Sequence, residues 1–223
     1  MKARLRVRDL SVTVWQAAEG LPALARAVLA AAPLVMACFV AGTSHAADTP
    51  AYDHLDPATG FRVDRYQAAV PEAPPAGTRV WIDDIDLLVR DKRAILIDVS
   101  PITGLGYDPE TGRWRAAKAH QSLPGAVWLP EVGRGALEPT IERYLAYNLA
   151  RLTDGDRARA LILFCHADCW MSWNAMKRVD RLGYTRLYWF PEGTDGWRDW
   201  DRELVPIEPV PIDISQDGGG QAR

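Results

Sequence analysis

Along the chain, short unbroken apolar runs alternate with stretches in which apolar residues recur every three or four positions. Ala94-Ile95-Leu96-Ile97-Asp98-Val99 lacks polar alternation, as a parallel strand buried on both faces requires. Ala160 to Phe164 and Thr185 to Phe190 read as further strands, with shorter ones at Val80-Trp81-Ile82 and Val127-Trp128-Leu129. Between them, Ile85, Leu88 and Val89 take helical spacing behind a cap at Asp83 or Asp84. Ile141, Tyr144, Leu145, Asn148, Leu149 and Leu152 trace one face of a helix over 138–152. Trp173, Met176, Val179 and Leu182 trace another, stopped by Gly183. This alternation predicts an α/β fold with a mainly parallel central sheet flanked by helices, whose ligand site lies at the carboxyl ends of the strands.

The flanks break the pattern. Residues 1–46 join Lys2, Arg4, Arg6 and Arg8 to an apolar run from about Ala27 to Ala41 and the small-residue site Ser44-His45-Ala46, which predicts a secretory signal peptide cut before Ala47. The run is shorter than the ~20 residues of a spanning helix. A lipoprotein site at Cys38 fits poorly because Met36 is wrong for that box and the apolar run continues past the cysteine. A periplasmic protein with no membrane contact after leader cleavage is expected. Residues 47–77, with Pro57, Pro71, Pro74 and Pro75, predict an extended N-terminal arm anchored by Tyr52, Phe61 and Tyr66. The folded domain is expected over 78–205, with a long Gly-rich loop at 101–119 and a flexible Pro-rich tail at 206–223.

Without the leader about 177 residues remain, enough for one domain. The formal charge of -3 includes the basic leader, so the mature chain is more acidic, and no Lys/Arg run is present to grip phosphates. Nucleic-acid binding is excluded on that ground.

Only Cys165 and Cys169 lie outside the leader, in the segment Cys165-His166-Ala167-Asp168-Cys169-Trp170. A cysteine ending a buried strand and facing a helix start meets free N–H groups and the positive end of the helix dipole, which favour thiolate. Residues four apart near a helix are ~6 Å apart, inside the Cα range of a disulfide. In a redox reading Cys165 is the attacking thiol and Cys169 its resolving partner, or the pair is stored as a disulfide. Asp168 is the loop's only formally charged residue and His166 is taken as mostly neutral, so an acid beside the thiolate is expected to raise its pKa and repel anionic sulfur donors. Too few soft ligands cluster for a closed metal site, and none is expected.

Leu96-Ile97-Asp98-Val99, His120-Gln121-Ser122-Leu123-Pro124-Gly125-Ala126-Val127, Leu163-Phe164-Cys165 and Gly193-Thr194-Asp195-Gly196-Trp197 occur in an order that resembles the rhodanese-like domain, over about Val80 to Trp200. Within that group, Cys165 through Trp173 and Tyr188 through Trp197 are similar to the PQQ-dependent catabolism-associated CXXCW motif proteins, although three residues rather than two separate the cysteines here. The first resemblance implies a rhodanese-like fold and a persulfide on Cys165 cradled by the N–H groups of 166–170. Ser100 replaces the usual arginine after Asp98, which weakens anion binding. The second implies an exported accessory of PQQ-linked alcohol oxidation, with a quinoprotein dehydrogenase, cytochrome or transport component as partner.

Three readings stay open: a Cys165/Cys169 thiol-disulfide pair or contact with PQQ or another redox cofactor, a sulfurtransferase, and a non-catalytic binding module. Trp170 and Trp197, placed in loops, are the candidate stacking faces for a flat cofactor. His166, Ala167, Asp168, Asp98 and Asp195 are the candidate supporting residues, and Glu192 lies in the same turn as Asp195.

Overall fold

The computed structural model describes residues 52–213, and the leader expected at 1–46 lies outside them. Five strands form a wholly parallel sheet in the order β1-β8-β7-β2-β6: β1 (Thr78–Arg79), β8 (Leu187–Phe190), β7 (Leu161–Phe164), β2 (Ile95–Asp98) and β6 (Val127–Trp128). Four helices accompany it: α1 (Ile82–Lys92), α2 (Pro139–Leu152), α3 (Trp170–Arg181) and α4 (Gly193–Asp199). This is the expected α/β architecture, a parallel central sheet flanked by helices.

Alternation along the strands sends residues to two cores. Leu161, Leu163 and Cys165 join Ile97, Val99, Leu187 and Trp189 in a cluster with α2 and α3. Ile162 and Phe164 join Leu96, Phe190, Ile85 and Trp197 in a second cluster with α1 and α4. Because side chains change face at every residue, Cys165 lies on the α2/α3 side of the sheet. All of β7 is buried, which explains its uniform apolar composition.

Several boundaries differ from the sequence reading. Ile82 opens α1 rather than ending a strand, and Asp84 caps it from inside by accepting the Trp81 N–H at 2.9 Å. The 101–119 segment contains an antiparallel pair, β3 (Gly104–Tyr107) and β4 (Trp114–Ala116), with Trp114 packed edge-on against Tyr144 of α2. The Gly193–Trp197 turn is the first part of α4.

The arm is more deeply seated than expected. Phe61 and Arg62 are buried, Tyr66 is half-buried, and Tyr52 stays exposed with its ring edge-on to Trp170. Arg62 is tolerated inside because its guanidinium lies over Trp170 and donates to the carbonyls of Asp64 and Arg65.

The tail boundary needs correction. β9 (Val205–Ile207) pairs antiparallel with β5 (His120–Ser122), and the chain continues into the core rather than hanging free. Val210 accepts hydrogen bonds from Trp114 and Tyr144, and Ile212 is 4% exposed against the α2/α3 cluster. Packing of Ile and Val between prolines, not strand periodicity, holds this segment. Residues 214–223 lie outside the described residues. Ile212→Ala is expected to lower the unfolding free energy by about 2–5 kcal/mol in a urea titration. A flexible tail would leave it within ~0.5 kcal/mol.

Candidate active site

Cys165 follows the last residue of β7, and beyond His166, Ala167 and Asp168 stands Cys169, at the N-cap of α3 with extended backbone. The loop between the cysteines turns through Asp168, whose φ of 53° is left-handed, a conformation Asp tolerates better than most residues. Its other side is fixed by α4. The Cys165 carbonyl accepts the Thr194 N–H at 2.9 Å, and Asp195 accepts the Ala167 N–H at 3.1 Å. Gly193 is required at this contact: its φ is +53°, and a Cβ would sit 1.9 Å from the Cys165 carbonyl oxygen.

The arm closes the remaining side. Ala68 N–H donates to the Asp168 carbonyl at 2.9 Å, Trp170 N–H donates to the Tyr66 carbonyl at 2.8 Å, and Gln67 Nε2 donates to the Ala167 carbonyl at 3.1 Å. Cys165 has no exposed surface and Cys169 is 2% exposed.

The two sulfurs are free thiols with opposite environments. Burial pushes the Cys165 thiol up, the adjoining Cys169 sulfur adds to this, and Ser172 opposes it. Its Sγ lies 3.5 Å from the His166 carbonyl and 3.4 Å from the Cys169 carbonyl, so the thiol proton has acceptors at hand. Cys169 is pulled down to about 5, first by the hydrogen bond from the Cys165 thiol and then, against burial, by His166 and the Met171 N–H. His166 is raised to about 9, first by its hydrogen bond to Cys169, with burial opposing and Asp195 adding. Its Nδ1 donates to the Ala167 carbonyl at 3.1 Å.

The direction of these shifts favours charge on Cys169 and His166 beside a protonated Cys165. This direction favours Cys169 as the attacking sulfur, where the sequence points to Cys165. It also reverses the charge expected of the loop, because His166 is charged and sits against the sulfur, while Asp168 is exposed.

Other candidates fall elsewhere. Asp98 pairs in register with Phe164, so its side chain takes the sheet face opposite Cys165. It is fully buried and accepts from His120 Nε2 at 2.7 Å, the Ser122 hydroxyl and the Ser100 N–H at 2.8 Å. Trp170 is not in the loop but opens α3. It has no exposed surface, wedged among Arg62, Tyr52 and Trp173 with its Nε1 donating to the Ala69 carbonyl at 3.0 Å. Trp197 is buried in α4 under Arg202 and donates to the Glu203 carbonyl. Neither indole offers a free face, so a stacking platform for a flat cofactor is not formed here. Glu192 pairs with Arg79 at 2.5 Å. The N–H cradle expected over 166–170 is partly spent, since Ala167 and Trp170 already have acceptors.

Sequence reasoning missed Ser172 and Gln67. Ser172 Oγ donates to the Cys169 carbonyl at 3.1 Å and accepts Trp189 Nε1 at 2.9 Å. Its place three residues after Cys169, in the otherwise apolar first turn of α3, was a usable signal; Gln67 offered none.

Fold and loop together define an α/β domain with a central parallel sheet and a paired-cysteine loop at its carboxyl edge. No protein-family model and no curated protein matches the chain. Among solved structures it is similar to a thiosulfate sulfurtransferase from Pseudomonas aeruginosa, with 17% identity, a TM-score of 0.41, and coverage of 63% of this chain and 22% of that one. It is similar also to wild-type EanB, with 18% identity, a TM-score of 0.38, and coverage of 60% and 32%. A third is the polysulfide-sulfur transferase homodimer from Wolinella succinogenes, with 15% identity, a TM-score of 0.37, and coverage of 58% and 78%. The chain spans about a third or less of the first two structures' length.

The titrations set a pH profile for stability. Cys169, depressed from an ordinary 9.0 to about 5, contributes stability that is present above pH 9 and lost as pH falls towards 5. His166, raised from 6.5 to about 9, contributes stability that is present below pH 6.5 and lost as pH rises towards 9. From these two groups, unfolding free energy is expected to rise from pH 5 to 6.5, stay level to about 9, and fall above that as the raised Cys165 thiol takes over. Urea titrations across pH check this. A Cys169→Ser chain that kept the rise between pH 5 and 6.5 would refute the assignment.

Proposed function

We propose that the chain is a thiol-disulfide exchange protein in which Cys169 attacks and Cys165 resolves. The observation that carries this reading is the pair of free, buried cysteines at the end of β7 and the N-cap of α3, with Cys165 Sγ 3.4 Å from the Cys169 carbonyl, and the neighbouring Cys165 and His166 groups draw the Cys169 thiol down. A thiolate paired with an imidazolium is nucleophilic at neutral pH, and a neighbouring protonated thiol can displace whatever the first sulfur captures. In the first step the Cys169 thiolate attacks one sulfur of a disulfide and the other sulfur leaves as a thiolate. Cys165 then loses its proton, attacks the Cys169 sulfur and releases the captured thiol, leaving the pair oxidised and the substrate reduced by two electrons.

The leader-like pattern at 1–46 supports action in the periplasm, where such exchange has substrates. The resemblance of Cys165 through Trp173 and Tyr188 through Trp197 to the PQQ-associated group supports a role as an accessory of quinoprotein alcohol oxidation. Its partner is then a dehydrogenase, cytochrome or transport component. In a strain dependent on that pathway, Cys169→Ser is expected to slow growth on alcohol; growth at the wild-type rate would favour a binding module.

Sulfur transfer is the second reading, favoured by a cysteine at the end of a central parallel strand facing a helix start. In that case a thiolate would take the outer sulfur of thiosulfate and release sulfite. Intact-mass analysis separates the two. With oxidised glutathione, Cys165→Ser should hold a persistent mixed disulfide on Cys169, the wild type should pass on to a Cys165–Cys169 disulfide, and Cys169→Ser should capture nothing at neutral pH. A sulfur atom gained from thiosulfate by either cysteine would move the conclusion to sulfur transfer.

A further inference from the structure

Main-chain bonding, rather than side-chain chemistry, joins the arm to the cysteine loop. Gln67 stands opposite Cys169 in an antiparallel bridge, flanked by Ala68 N–H to the Asp168 carbonyl at 2.9 Å and Trp170 N–H to the Tyr66 carbonyl at 2.8 Å. Trp170 Nε1 adds a bond to the Ala69 carbonyl at 3.0 Å. Gln67 is exposed and Ala68 and Ala69 are small and half-buried, while the Tyr66 ring packs against the α2/α3 core with its hydroxyl accepting the Gly135 N–H at 2.9 Å. One side chain of the strap takes part, through Gln67 Nε2 to the Ala167 carbonyl. A contact built this way accepts extended backbone of almost any sequence, as strand-addition sites do.

We propose that the cysteine loop is a receptor for an extended polypeptide segment carrying a disulfide-bonded cysteine, and that residues 66–69 fill this receptor from within the chain. The proposal rests on the thiol-disulfide reading and assigns its substrate class. The register supplies the specificity. Gln67 and Cys169 form the kind of antiparallel pair whose own N–H and carbonyl groups do not bond each other, which brings Cα atoms to about 4.5 Å and turns the two side chains to one face. A disulfide spans Cβ atoms ~3.5–4.5 Å apart, so a cysteine in place of Gln67 puts its sulfur beside that of Cys169. A partner segment seated as the strap is seated presents its disulfide there. The Cys169 thiolate then bonds that sulfur, the partner's second sulfur leaves as thiolate and takes the proton of Cys165, and Cys165 closes on Cys169 to free the first partner thiol. The partner gains two electrons and the loop ends as a disulfide.

The same register explains how both sulfurs can be buried yet reactive. The strap has to peel away, which at Gln67, Ala68 and Ala69 breaks few bonds and at Tyr66 also frees a ring packed against the α2/α3 core and the Gly135 N–H bond to its hydroxyl. Phe61 and Arg62, which are buried, keep the rest of the arm in place.

Two measurements test the inference. Full-length Gln67→Cys, reduced and then treated with oxidised glutathione, is expected to give, as its main product on peptide mapping, a disulfide between the introduced thiol and Cys169. A Cys165–Cys169 bridge alone, or glutathione retained on the introduced thiol, would overturn the register. In Ala68→Pro, which lacks the N–H given to Asp168, the strap is loosened. This variant is expected to react with the peptide Val-Asp-Arg-Tyr-Cys-Ala-Ala-Val, joined to glutathione as a mixed disulfide, at least about tenfold faster than with oxidised glutathione. Equal rates would sink the polypeptide receptor while leaving a reactive thiol pair, whereas no reaction of Cys169 with either probe would sink both.

Discussion

A sulfur that ionises with almost none of its surface in water needs its counter-charge and hydrogen bonds set in place beforehand, because burying an unpaired charge is far more costly than any single packing contact repays. At Cys169 three separate parts of the fold meet that need. The end of β7 brings the Cys165 thiol, the loop brings the His166 imidazolium, and the first turn of α3 brings the Met171 N–H. Other local features follow from holding these three together. Asp168 takes a left-handed turn so that the loop doubles back, Gly193 lets α4 press on the Cys165 carbonyl, and Asp195 fixes the Ala167 N–H while favouring charge on His166.

This arrangement explains why the second cysteine, and not the first, carries the charge. Cys165 ends a strand in the middle of the sheet, with protein on every side, and desolvation there outweighs the donors near it. Cys169 is buried as well, but it stands at a helix start and receives hydrogen bonds from both a thiol and an imidazole. The strand end places the pair, and the helix cap selects which member ionises.

Much of the scaffold was legible because burial leaves a simple pattern. Leu161 to Phe164 is apolar without a break because both sheet faces are covered, and the α3 spacing at Trp173, Met176 and Val179 shows in the core as buried positions. The position of the cysteine loop was legible by the same logic, since a cysteine between such a strand and such a helix has few other places to be. Roles were not legible, because they depend on which side chains converge. The charge on His166 arises from contact with Cys169 and Asp195, the latter from a distant part of the chain. Trp170 and Trp197 look like loop aromatics in sequence, but α3 already begins at Trp170 and the Gly193–Trp197 turn is helical, and both rings are buried. The segment from Val205 to Ile212 escaped notice because its prolines hide a strand whose partner, β5, lies far earlier in the chain.

Register also separates two polar clusters that a linear reading joins. Asp98 and Cys165 both lie at carboxyl ends of neighbouring strands, which suggests one site. Yet Asp98 is level with Phe164, and the step of one residue to Cys165 changes the sheet face. The Asp98 carboxylate therefore binds His120, Ser122 and Ser100, bracing the segment that β9 pairs with, and leaves the sulfurs to His166 and Asp195. Had Asp98 shared the face of Cys165, its polar cluster would have occupied the side of the sheet on which α2 and α3 enclose the sulfurs. The one-residue offset between β2 and the cysteine thus gives each cluster a face, and a set of partners, of its own.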